Sequence, residues 1–374
     1  MFRFDRRLIL NFDWGIFLTV IIIAVIGLAN LYSATSTSAY GTAIFLRQLY
    51  FYIFGFGIIF VIISFDYRLL ITINYPLYGL IIILLLTALF FGKTVADTQR
   101  WIDFGFFKLQ PSEPAKLVLV IALSSYFFRK DAGRGFSLKD LFVPILITGL
   151  PFILIVKQPD LGTALMLLFI FVSMLLFVRL KWSTLGILAG IGLSMIPFGW
   201  FFFLKPYQKQ RILTLFNPDA DPLGTGYHII QSKIAVGSGR MFGKGYLKGT
   251  QGHLDFLPER HTDFAFSVWA EEWGFIGSLF FLIFYLFLIL LGLNIAIASR
   301  DKFGVLLAFG ITSLLFWQAF INLGMILGLL PVVGMPLPLF SYGGSSLLTS
   351  LAGIGILLNI RMRRFMTSGK SNLL

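Results

Sequence analysis

The sequence predicts an all-α polytopic integral membrane protein, with about ten transmembrane helices and one large extracytoplasmic loop. Three observations carry this. Hydrophobic residues make up 57% of the chain and charged residues only 13%, against about 25% charged in soluble domains. Mean hydropathy is +0.88. Apolar runs long enough to cross a bilayer, about 20 residues each, recur along the whole length. The runs are continuously apolar rather than alternating, which argues against a β-barrel.

The first three spans fall near 14–34, 46–64 and 68–91. A polar segment, Thr98-Gln99-Arg100-Trp101-Ile102-Asp103, separates them from a short fourth span at 113–128. That span is introduced by Gln110-Pro111-Ser112-Glu113-Pro114-Ala115-Lys116. Ser112 fits an N-cap, and Pro114 is tolerated in a first helical turn. Spans at 141–157 and 161–178 flank Lys157-Gln158-Pro159-Asp160-Leu161-Gly162-Thr163, where Asp160 can cap the second of them. A seventh span at 183–204 precedes the one long hydrophilic stretch, roughly 205–263. Spans at 264–295, 304–329 and 345–360 complete a single membrane domain, 1–374.

Basic residues set the expected orientation. With the N-terminus inside, the inner segments hold 16 Lys and Arg, among them Arg3, Arg6, Arg7, Arg134 and Lys370. The short outer loops hold 5: Arg47, Lys93, Arg100, Lys108 and Lys157. The positive-inside rule then places both termini in the cytoplasm and the long loop outside. The net charge of +13 is largely topological, and no basic soluble face suggests nucleic acid. With no cysteine, disulfides and thiolate metal sites are excluded. The first apolar run lacks a cleavage pattern and is expected to stay as an anchor.

Four polar groups and a proline-rich segment are candidates for chemistry. Glu113 and Lys116 lie three apart on one helical face; they are either an interfacial ion pair with Lys116 snorkelling outward or functional intramembrane charges. Asp160 is either a turn residue or a site carboxylate. The long loop carries eight basic against five acidic residues, with Arg211 near its start and glycines from 224 to 245. Backbone amides in such a loop can cradle an anion, which suits a phosphate-bearing lipid headgroup. Asp263 ends the loop in Glu259-Arg260-His261-Thr262-Asp263-Phe264, and a carboxylate at the mouth of a span needs water, a cation or a substrate to account for it. Positions 263, 267, 270 and 274 share a helical stripe of small, polar residues, expected to leave room beside Asp263. Glu271 and Glu272 point elsewhere and need separate partners. The uncharged segment 328–346, with Pro331, Pro336, Pro338 and Ser341, implies irregular backbone at membrane depth, tolerated only where protein or a water-filled cavity covers it.

Taken together, Gln110 to Lys116, Lys157 to Thr163, Asp221-Pro222-Leu223-Gly224 to Gly245, His253 to Phe264 and Pro338 to Ser346 resemble the SEDS family of polytopic cell-wall polymerases. The likeness covers nearly the whole chain and is greater to the elongation branch than to the division branch. Arg240 stands where a third glycine is common in the family, and Ala265 where a larger aliphatic residue is usual.

The resemblance implies a peptidoglycan glycosyltransferase that polymerises lipid II, an undecaprenyl diphosphate-linked disaccharide pentapeptide, outside the cytoplasmic membrane. It implies a class B penicillin-binding protein as partner. The family's essential aspartate falls on Asp263, its functional lysine on Lys116 with Glu113 beside it, and a further acidic position on Asp160. Asp263 is then the expected catalytic base. Lys116, Glu113, Arg100, Asp160, Arg211 and Ser341 are the expected substrate-binding residues. A divalent cation, Mg²⁺ or Mn²⁺, follows from the resemblance alone, because no protein ligand set for it is visible; no organic cofactor is expected. Two rival readings are a lipid II flippase and a non-catalytic scaffold for the penicillin-binding protein. The ionisable residues within spans crowd the outer side, which favours catalysis there over transport.

Overall fold

The computed structural model describes residues 10–95, 98–105, 107–130, 133, 135–221, 224–253 and 256–365. Arg3, Arg6, Arg7, Arg134 and Lys370 of the inner basic set, and Pro222, Leu223, Leu254 and Asp255 of the long loop, lie outside them.

All ten expected spans are helical. They are α1 (Trp14–Thr35), α2 (Gly41–Ser64), α3 (Leu69–Phe91), α4 (Ser112–Arg129), α5 (Phe142–Lys157), α6 (Leu161–Phe177), α7 (Trp182–Phe198), α11 (Ala265–Ala298), α12 (Lys302–Ile326) and α13 (Gly344–Met362). Eight helices among the described residues are long and apolar enough to cross a membrane. The other two fall short for evident reasons: α6 has 17 residues, and α4 carries Glu113, Lys116 and Arg129. Helices α4, α12 and α13 are buried on nearly every face and form the centre. Around them α2 packs on α13, α11 on α12 and α1, and α3 on α4. By contrast, α7 has Thr184 as its one buried residue.

Several expectations change. Ser112 is the first helical residue rather than the cap: Pro111 holds the N-cap position, and the buried Ser112 hydroxyl has no partner among the described residues. The segment between α3 and α4 contains an antiparallel three-stranded sheet, β1 (Lys93–Val95), β2 (Thr98–Asp103) and β3 (Lys108–Leu109). The long loop is largely helical: α8 (Pro206–Phe216), α9 (Thr225–Ser238) and the short α10 (Thr250–His253). Of these, α9 packs against α11.

The largest change concerns α11. Its 34 residues would run about 50 Å as one helix, well beyond a hydrocarbon core of about 30 Å. The helix breaks at Gly274 (φ 64°, ψ −162°), and the 239–245 loop fills the break. The amides of Lys244 and Gly245 donate to the freed carbonyls of Glu271 and Glu272, at 3.0 Å each. The amides of Phe275 and Ile276 donate to the carbonyls of Arg240 and Met241. Ser267, Ala270 and Gly274 therefore do not open space beside Asp263. Ser267 bonds Ser232 of α9 at 2.9 Å, and Gly239 packs directly on the Ala270 carbonyl. The small residues let the loop approach, not a substrate. Glu271 and Glu272 find the separate partners they need. Glu271 accepts from Lys244 Nζ at 2.6 Å and from the Thr250 amide at 2.8 Å, and Glu272 accepts from the Ser33 hydroxyl of α1.

Arg240 has φ 50°, the left-handed region that favours the glycine common at this position. Arg240→Gly is expected to stabilise the fold by up to about 1 kcal/mol, the left-handed cost of a side chain less the extra entropy of glycine. Thermal unfolding in detergent would read this as a higher midpoint.

Candidate active site

Three chain segments converge outside α12. The first is the turn before α6. Asp160 caps that helix, accepting from the Thr163 amide at 3.3 Å and its hydroxyl at 3.0 Å, and from Gln110 Nε2 at 3.3 Å. Arg100, on β2, reaches over the turn. It donates to the carbonyls of Gln158, at 3.1 Å, and Pro159, and lies 3.7 Å from Asp160. The unexpected sheet is what carries Arg100 there.

The second segment is the long loop. Helix α8 presents Tyr207 and Arg211, with Lys205 at its N-cap. Arg211 donates to the Val332 carbonyl at 3.2 Å, which fixes the third segment, 331–334, across the gap. From α9, the His228 ring lies parallel to Phe264, centroids 5.8 Å apart. Asp263 sits in the turn that ends the loop, two residues before α11 begins. The Glu259 carbonyl closes this turn by accepting from the amides of Thr262, at 3.1 Å, and Phe264, at 3.2 Å. Gly334 faces Asp263 with φ 73°, and a methyl group placed there would lie 3.4 Å from Oδ2.

Between the segments lies a cavity of about 630 Å³. Its lining brings Asp263, Asp160 and Glu259 together with Arg100, Arg211, Lys205 and His228. Burial, foremost, raises the Asp263 carboxyl from its usual range to about 7. Glu259 and Asp160 push the same way and Arg211 opposes them. Burial lowers His228 below its ordinary value, so its imidazole is neutral at pH 7.

Four expected residues, Asp263, Asp160, Arg100 and Arg211, thus share one cavity. Three others do not line it. Lys116 is completely buried and does not snorkel; it donates to Glu113 at 2.9 Å and to Gln318 of α12 at 3.2 Å. Ser341 is also buried: its hydroxyl accepts from the Leu337 amide at 3.0 Å and its carbonyl from Gln48 at 3.2 Å. Lys205, His228, Glu259 and Gly334 were not singled out from sequence. Glu259 had the clearest local signal, an acidic residue four positions before Asp263.

The comparisons agree with this architecture. A family model described as a cell cycle protein, FtsW/RodA/SpoVE, matches residues 12–365. The chain belongs to the FtsW/RodA/SpoVE family. It is 45% identical to the peptidoglycan glycosyltransferase MrdB of Escherichia coli (strain K12) over 292 residues, 78% of each chain. It is 31% identical to the peptidoglycan glycosyltransferase RodA of Treponema pallidum, covering 95% of this chain and 98% of that one. Among solved structures, one reported for coordination of polymerization and crosslinking by a peptidoglycan synthase complex superposes with a TM-score of 0.81. It is 35% identical and covers 95% of this chain and 99% of the other. RodA of Thermus thermophilus superposes at 0.71, with 31% identity over 95% and 98%. The family and the bundle of apolar helices make this a multi-pass membrane protein.

Proposed function

We propose that this chain polymerises lipid II on the outer face of the cytoplasmic membrane, with Asp263 as the general base. The chain is a peptidoglycan glycosyltransferase of the elongation type. The observation that carries the mechanism is one cavity pairing a carboxylate raised to about 7 with Arg211 and Lys205. A base works best with a pKa near the operating pH.

In the proposed step, the 4-hydroxyl of the acceptor sugar attacks the anomeric carbon of the donor. A carbon–oxygen bond forms, the bond to the diphosphate breaks, and Asp263 takes the hydroxyl proton. A single carboxylate base fits inversion without a glycosyl–enzyme intermediate. The leaving diphosphate gathers negative charge, which Arg211 and Lys205 would stabilise. Arg100 already bonds two carbonyls of the 158–160 turn, and we assign it to holding that wall. Lys116 and Glu113 do not line the cavity, and we assign them to the buried network through Gln318 rather than to the diphosphate.

A resident metal centre does not fit these side chains. Among the described residues no group of three or more acidic or histidine side chains could hold one, and Asp160 is already occupied by Thr163 and Gln110. A divalent cation would enter on the diphosphate, in the manner of Mg²⁺ held chiefly by substrate phosphates. The basic bias of the inner segments supports termini in the cytoplasm. The likeness to a peptidoglycan synthase complex supports a class B penicillin-binding protein as crosslinking partner.

Purified protein with that partner and labelled lipid II should yield long strands on a gel. Lipid II crossing liposome membranes without strands would favour the flippase reading. The pH dependence is a second check. Glu259 raises Asp263, so Glu259→Gln should lower the Asp263 pKa. The acid limb of kcat/KM, near pH 7 in the unmodified protein, should move to lower pH. An unmoved limb would remove Asp263 from the role of base.

A further inference from the structure

Two amides stand one turn apart on α12, and both are almost wholly buried: Gln318 and Asn322. Gln318 accepts from Lys116 and donates to the Pro336 carbonyl at 3.1 Å and to the Ser346 hydroxyl at 3.0 Å. Asn322 donates to the Asp263 carbonyl at 2.8 Å and to the Met335 carbonyl at 2.6 Å. Both Asn322 neighbours are carbonyl oxygens, so the NH₂ end must face them. Asn322 therefore spends both of its donors on two separate segments.

The two carbonyls it joins flank the reacting gap. One belongs to the residue that carries the carboxylate. The other belongs to Met335, next to Gly334, which faces Asp263 Oδ2. We propose that Asn322 is a positioning residue, which sets the distance between Asp263 and the 333–335 segment and so holds the carboxylate where the acceptor hydroxyl arrives. This rests on the reading of Asp263 as the base. Loss of the tie would loosen the turn against the 333–335 segment, leaving the Tyr342 amide to the His261 carbonyl as a more distant link. Displacement of a reacting group by about 1 Å can cost about 10²-fold in rate.

The test compares Asn322→Leu, close in shape but without a donor, with the unmodified protein and with Asp263→Ala. All are measured for strand synthesis from lipid II with the penicillin-binding protein present. The expected result for Asn322→Leu is a kcat lower by about 10²-fold with KM changed by less than about two-fold, and thermal unfolding close to the unmodified protein. An unchanged kcat would overturn the proposal. So would parallel losses in kcat, KM and melting, which would make Asn322 a fold-stabilising amide and no more. If Asn322→Leu does not fold, Asn322→Ser carries the same outcomes, since it is smaller and keeps one O–H donor. Strands made by Asp263→Ala would instead sink the reading of Asp263, whatever Asn322 does.

Discussion

Asp263→Ala is expected to make no detectable glycan strands while remaining folded and membrane-inserted. A positioned general base contributes typically about 10²–10⁴-fold, so the loss should exceed two orders of magnitude. The fold should survive because, among the described residues, no side-chain hydrogen bond of Asp263 ties the turn together. Its backbone carbonyl holds Asn322, and alanine keeps that carbonyl. The charge itself opposes folding. The carboxyl titrates near 7 in the folded chain against an ordinary 3.8, so the folded state holds its proton more tightly than the unfolded state. Stability conferred by the protonated form is full below the ordinary value and declines as pH rises towards 7. Asp263→Asn should therefore melt higher than the unmodified protein at pH 8, by a margin that shrinks towards pH 5. Normal strands from Asp263→Ala, or its collapse in detergent, would each count against this account.

Gly274→Ala is expected to be strongly destabilising. Its backbone (φ 64°, ψ −162°) is essentially restricted to glycine, and an added Cβ would overlap the Gly243 amide nitrogen. Strain and overpacking together should cost about 2–5 kcal/mol. The damage should reach the active site, because the 239–245 loop follows α9, which carries His228. Gly190→Ala on α7 is the matched control: nothing lies within 4 Å of a methyl there, and alanine in a helix should be neutral or stabilising by up to about 1 kcal/mol. Detergent melting of both variants reads the contrast. Equal midpoints would show that the helix break does not need glycine.

The spans were legible because most are apolar runs of bilayer length, and all ten are helical. The break at Gly274 was not, because hydrophobic residues continue across it and a lone glycine is a weak signal. The sheet around Arg100 was hidden for a related reason: its strands are short and mixed in character. Asp263, Asp160, Arg100 and Arg211 stood out as polar residues at the ends of apolar runs. Lys116 stood out equally but went elsewhere. Helical spacing pairs it with Glu113, yet nothing local discloses Gln318, which lies 202 positions away. Asn322 left no local trace for the same reason, being one of two amides inside a mostly apolar helix.

The bareness of α7 reaches the cavity. With Thr184 alone buried, this helix packs on few neighbours within the chain, and packing against neighbours is what fixes a helix's tilt and rotation. It leads through residues 199–204 to Lys205 and to Arg211 of α8, which line the cavity. That side of the cavity is thus hinged on a helix with little hold on the rest of the bundle.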